Sequence, residues 1–117
     1  MPADQQMTAD NFLAHLGTPE HRFADSLDFI EQFYHYQPSG FHNGPLYNSA
    51  GENQGACRIL AMALDLGLTD EQTLACFAEH YQSVLADPGG TGHANIRALM
   101  QHGLAAVHFD QPPLTRR

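Results

Sequence analysis

The 117-residue chain has the size of one domain and too little length for two cores, and its 43% hydrophobic content, with seven Phe and four Tyr, excludes a disordered chain. Its formal net charge is -8, from thirteen acids against five Arg and no Lys. Only Arg22, Arg58 and Arg97 lie inside the chain, so nothing is available to build the clustered basic face that displaces counterions from phosphates, and nucleic acid and anionic membrane are excluded as expected partners.

Turn and cap chemistry divides the chain into about five helices and a little strand. Thr8 is placed to cap a short helix carrying Phe12, Leu13 and Leu16, with Gly17 as its stop. Thr18 followed by Pro19 predicts the start of a longer helix, on which Phe23, Leu27, Ile30 and Tyr34 share one face and Phe29, Phe33 and Tyr36 another, ending before Pro38. From Ser39 to Glu52 the residues Gly40, Asn43, Gly44, Pro45, Asn48 and Gly51 read as an ordered loop with a tight turn at Asn43 and Gly44, anchored by Phe41 or Tyr47.

Asn53 then caps a helix that is apolar nearly all round, Ile59, Leu60, Met62, Ala63, Leu64 and Leu66, with Gly67 as its stop, and this is the expected buried central helix. Thr69 and Gln72 form a capping box for a further helix through Leu74, Phe77, Ala78, Tyr81, Val84 and Leu85. The Gly89 to Gly92 link leads into a last helix with Ile96, Leu99 and Met100 inward and Gly103 as its stop. Val107 and Phe109 alternate beyond it as a short strand, expected to pair with the Phe41 region. The fold class is therefore α+β, predominantly helical, one domain over residues 1–117, with flexible tails expected at 1–7 and 111–117.

Two groupings have the residue types for chemistry. Cys57 stands one turn into the central helix, where the dipole favours a thiolate, and His93 and Asn95 follow in the order of nucleophile, base and orienting group. A small apolar Cys packed on a buried helix accounts for the same residue without partners, and the aromatic that follows a papain-type Cys is absent. The second grouping is an anion site from Arg58, His93, Asn95 and Arg97, since each Arg stands near a helix N-terminus; engagement of both Arg with acids such as Glu52 or Asp65 and with loop carbonyls is the competing and favoured reading. Asn43, Gly44, Asn48, Gly51, Asn53 and Gly55 read as framework residues that close turns and cap helices. The eight His form no HExxH pair and no Cys/His array, so no metal site or cofactor is expected, and most of them are expected to be solvated.

Several words of the sequence occur together in one family. Phe41 to Gly44, Asn48 to Arg58, His93 to Arg97 and Gly103 to Phe109, with Tyr34 to Pro38 and Thr69 to Leu85, make the chain resemble the HopJ type III effector family over about residues 23–109. The resemblance implies a compact, mainly helical α+β domain. It implies no assigned activity, because the family carries a name taken from effectors of plant-pathogenic bacteria. Its motif positions are Asn43, Asn48, Asn53, Cys57, Arg58, His93, Asn95 and Arg97; this chain departs from its usual pattern at Ala56, Arg58 and Leu104, where Ser, Lys and an aromatic are usual.

The expected function is that of a non-enzymatic binding domain, whose acidic surface suits a protein partner with a basic patch. A small Cys-dependent hydrolase or transferase using Cys57 with His93 is the alternative. The expected location is cytoplasmic: the start lacks the basic and apolar regions of an export signal, and Asp4, Asp10 and the absence of Ser before Ser26 fit type III secretion poorly.

Overall fold

A computed structural model describes residues 8–117. The expected tail at 1–7 lies outside the described residues. Thr8 caps α1 (Ala9–His15) as its sequence position requires, its Oγ1 accepting from the Asn11 amide at 3.1 Å. Phe12 of α1 is wholly buried and stacks on Phe29 at 4.3 Å between ring centroids.

The next helix, α2 (Phe23–Phe33), begins later than Thr18 and Pro19 suggest. Thr18 spends its hydroxyl on the His15 carbonyl at 2.7 Å, closing the end of α1, and the start of α2 is held instead by Asp25, whose Oδ2 accepts from the Arg22 amide at 2.9 Å. α2 also ends early. Residues Tyr34–Tyr36 leave it as strand β1, which pairs antiparallel with β5 (Leu114–Arg116), Tyr34 opposite Arg116.

That pairing corrects the expectation of a flexible tail at 111–117. The Tyr34 hydroxyl donates to Asp65 Oδ2 at 2.6 Å and Arg116 Nε donates to the same oxygen at 2.8 Å, so one carboxylate ties both strands to the central helix. The Asp65 carboxyl is accordingly held below its ordinary range, first by the Tyr34 hydroxyl.

The Ser39 to Glu52 segment holds more strand than a loop reading gives. Strands β2 (Phe41–Asn43), β3 (Leu46–Asn48) and β4 (Val107–Phe109) form an antiparallel sheet in the order β3-β2-β4, with Phe41 opposite both Asn48 and Phe109. The expected pairing of the C-terminal strand with the Phe41 region is therefore present. The hairpin turn falls on Gly44 and Pro45, one residue later than expected, because Asn43 is still in register with Leu46. Gly44 has φ +60, and a Cβ there would lie 2.6 Å from the His102 ring, so glycine is required twice over.

The central helix is α3 (Gln54–Leu66), with Ile59, Leu60, Met62 and Ala63 wholly buried and Gly67 ending it at φ 68. Thr69 and Gln72 make the expected capping box, at 3.0 and 2.9 Å, for α4 (Asp70–Cys76). The single helix expected from Thr69 to Leu85 is broken at Ala78, which has φ 50 and ψ −118, and resumes as α5 (Glu79–Ala86). The break turns the chain so that the Glu79 carboxylate accepts the Phe23 amide at 2.7 Å and the His80 ring meets the Phe23 ring at 4.6 Å. Helix α6 (Ala94–His102) ends at Gly103, and a short 3₁₀ turn, Leu104–Ala106, feeds β4. Six helices stand among the described residues, where about five were expected.

Candidate functional site

Four asparagines join the sheet to the two helix starts. Asn95 Nδ2 donates to Asn48 Oδ1 at 3.0 Å and Asn48 Nδ2 returns a bond to Asn95 Oδ1 at 3.1 Å. Asn43 Nδ2 reaches the Asn95 carbonyl at 2.9 Å, and Asn53 Nδ2 reaches Asn48 Oδ1 at 2.6 Å. Asn43, Asn48 and Asn95 are buried, so the bonds among them are made away from competing water, and the half-buried bond from Asn53 extends the link to the start of α3. The framework role expected of Asn43, Asn48 and Asn53 is exercised through side chains, and Asn53 makes no side-chain cap.

Above this network α3 and α6 open in the same way. The residue before each helix, Asn53 at φ 50 and His93 at φ 56, is left-handed, and the helix follows at once. A left-handed residue followed by right-handed ones turns consecutive amides toward one concavity, the geometry of an anion-binding nest. The first intrahelical bonds run from the Cys57 amide to the Asn53 carbonyl and from the Arg97 amide to the His93 carbonyl. The amides of Gln54 to Ala56 and of Ala94 to Ile96 are those that helix geometry leaves over.

Both first turns line one cleft of about 270 Å³, with Phe23, His80 and His93 on its other walls. The His80 and His93 rings face each other at 5.0 Å between centroids, and Phe23 sets His80 edge to face. Gly55 has no room for a side chain: a Cβ would lie 2.7 Å from the Phe23 ring. Gly51, at φ +90, closes the turn before α3, where the Ser49 amide donates to Glu52 Oε1 at 2.8 Å.

The Cys57, His93 and Asn95 grouping is not assembled as a catalytic triad. The Cys57 thiol is 1% exposed and directed at the Ser39 carbonyl, 3.9 Å away, while burial raises its pKa and opposes the thiolate. His93 faces His80, and the Asn95 side chain is engaged by Asn43 and Asn48.

The two arginines are engaged with carbonyls, as the competing reading expects, and Arg58 with an aromatic face, but neither pairs with an acid among the described residues. Arg97 donates to the carbonyls of Asp87, Pro88 and Gly92 at 2.9, 3.3 and 2.6 Å, bracing the Gly-rich link. Arg58 lies over the Tyr36 ring at 5.1 Å and donates to the Gln54 carbonyl at 3.3 Å. Of the expected anion-site residues, His93 and Asn95 line the cleft; Arg58 and Arg97 are not among its walls.

Two histidines of consequence were not singled out by the sequence. His80 is half-buried in the cleft wall and His21 is 5% exposed, both against the expectation of solvated rings. Their aromatic neighbours, Phe23 and Phe12, are distant enough in sequence from His80 or off the helical pattern at His21 that no spacing rule finds them. Among the described residues no group of three His, Cys, Asp or Glu is placed to hold a metal ion, and no helix is long and apolar enough to cross a membrane.

A solved crystal structure of a protein of unknown function, VPA0580, is similar to this chain at 36% identity and a TM-score of 0.89, covering 97% of each chain. Among curated proteins none matches. The family described as HopJ type III effector protein matches residues 9–114, which takes in every helix and sheet strand described above except the last two residues of β5. The chain belongs to the HopJ type III effector protein family.

Proposed function

We propose that this HopJ family domain acts by binding, without catalysis, and that the cleft between the starts of α3 and α6 takes an anionic group, a carboxylate or a phosphate. The observation that carries the reading is the convergence of two helix first turns, each preceded by a left-handed residue, on one cleft of about 270 Å³. Helix N-termini and nests present amide hydrogens and partial positive charge to the same point. The His80 and His93 imidazoles supply an N–H donor in either charge state. The asparagine network beneath keeps the two donor sets in fixed relation, which is the preorganisation that a small ligand requires.

The rest of the surface suits a different part of recognition. With a net charge of -8, a basic face on a protein partner is the favoured counterpart outside the cleft. The buried thiol removes the support for a Cys57 hydrolase or transferase.

Calorimetric titration of the folded protein with inorganic phosphate and with acetate tests the cleft. Saturable binding of either anion, weakened several-fold in a His80→Gln and His93→Gln double variant that keeps its fold, is the expected result. Binding that is absent for both anions, or that the double variant leaves unchanged, overturns the reading.

A further inference from the structure

A second cavity, of about 560 Å³, lies on another side of the molecule, between the α1–α2 connection and the α4–α5 junction. Its volume is within the roughly 300–1,000 Å³ of small-molecule sites. His21, Arg22, Glu79, Tyr81 and Gln82 are among its walls, and Ala78, the residue at φ 50 that breaks the helix, is another.

His21 defines its chemistry. The Ser26 hydroxyl donates to the Cys76 carbonyl at 2.7 Å, so its oxygen is left to accept, and His21 Nε2 lies 2.8 Å from it. The Nε2 atom therefore carries the hydrogen and Nδ1 is a bare lone pair. Nδ1 is buried and has no hydrogen-bond partner among the described residues. A buried acceptor without a donor is uncommon in a folded domain and marks a place where a donor belongs.

Glu79 supplies the second acceptor. Its Oε1 is held by the Phe23 amide at 2.7 Å, which fixes the carboxylate and leaves Oε2 for another partner. Arg22 Nε lies 3.8 Å from Oε2, on a side chain that is 62% exposed. That is a loose contact, beyond hydrogen-bonding distance, made by a cation free to swing into solvent.

We propose that this cavity binds a small ligand with a primary ammonium group, whose N–H donors are shared between His21 Nδ1 and Glu79 Oε2 and whose charge replaces that of Arg22. A charged donor is favoured over a neutral one, since one of the two acceptors is a carboxylate and the whole chain is acidic. The three donors of an ammonium turn about one compact charge, whereas those of a guanidinium are fixed in a planar fork. Tyr81 in the wall adds an aromatic surface for the ligand's carbon chain or charge.

The test is a titration followed by NMR of the full chain with its imidazole nitrogens labelled. The probe is n-butylammonium, with n-butanol as the neutral control and tetramethylammonium as a cation that has no N–H donor. The expected result is a saturable displacement of the His21 Nδ1 resonance by n-butylammonium alone. Glu79→Gln, which keeps the oxygen that accepts from Phe23, weakens that binding about ten-fold, and Arg22→Ala, at an exposed position, tightens it several-fold. No saturable displacement overturns the proposal. So does an equal response to either control, or affinity unchanged in Glu79→Gln. The anion cleft plays no part in these readouts, so the two sites stand or fall separately.

Discussion

Asn48 and Asn95 exchange side-chain amide hydrogen bonds, at 3.0 and 3.1 Å, across a separation of 47 residues. Each satisfies the other's donor and acceptor, and together they join strand β3 to the first turn of α6. Asn95→Ala strands Asn48 Nδ2 and removes a partner of Asn43, both in a buried setting. Its expected cost is on the order of 3 kcal/mol, since an unsatisfied buried polar group costs about 1–3 kcal/mol. Urea denaturation measures it, and a change below about 0.5 kcal/mol, as for an ordinary surface substitution, is incompatible with a structural network.

Cys57 makes the opposite kind of statement, about absent reactivity. Its thiol is 1% exposed, with its pKa raised by burial, and the Cys76 thiol is pushed up to about 12 by the same cause. Both are expected to resist iodoacetamide at pH 8 in the folded protein and to react together once it is unfolded. Rapid alkylation of Cys57 alone in the native state would restore the enzyme reading.

The buried His21 imposes an acid limit on stability. Burial lowers its pKa below 6.5, with His15 acting in the same direction and Asp25 and Glu79 opposing. The unfolded chain therefore binds a proton at this residue more readily than the native one. Stability from this group is fully present above pH 6.5 and is lost as pH falls from there toward the folded pKa. His21→Gln, which keeps a donor for Ser26, is expected to flatten the decline between pH 7 and 5, read from thermal melts. An equally steep decline in the variant would assign the acid sensitivity to other groups.

The C-terminal strand and the cap positions show what the sequence makes legible. Thr8, the Thr69 and Gln72 pair, Gly67 and Gly103 act as their spacing predicts, because caps and stops depend on a few consecutive residues. The pairing of Val107 to Phe109 with Phe41 to Asn43 was also readable, from alternation and aromatic content. The β1–β5 pair was not. Tyr34 and Tyr36 continue the apolar pattern of α2, and the partners that hold them as strand are remote, β5 for the backbone and, for the Tyr34 hydroxyl, Asp65, thirty-one residues away. The positive φ of Ala78 is invisible for the same reason: its strain is imposed by the Glu79 and His80 contacts with Phe23. In the cleft, Asn95 and His93 were legible as candidates and His80 was not, since only the break at Ala78 brings it there.

Removal of Leu114 to Arg117 follows from that correction. Deleting the four residues takes away the partner of β1 and the Arg116 contact with Asp65. A loss of at least about 1 kcal/mol is expected, visible as a fall of roughly 4–8 °C in Tm for a domain near this size. A flexible tail would be removed without effect.

His93 separates stability from binding. A non-glycine residue at φ 56 costs of order 1 kcal/mol or more, and glycine there is free of that cost. His93→Gly is expected to be as stable as the parent, or more so by up to about 1 kcal/mol, while its phosphate affinity falls. A variant that loses stability and keeps affinity would make His93 a framework residue only.

The most direct measurement of the cleft is an amide NMR titration of the native chain with inorganic phosphate. The largest saturable shifts are expected at Gly55 and Ala56 together with Ala94, Asn95 and Ile96, two segments far apart in sequence that respond with one dissociation constant. Shifts confined to one segment, or centred on Arg58 and Arg97 with the helix starts unmoved, would contradict this expectation.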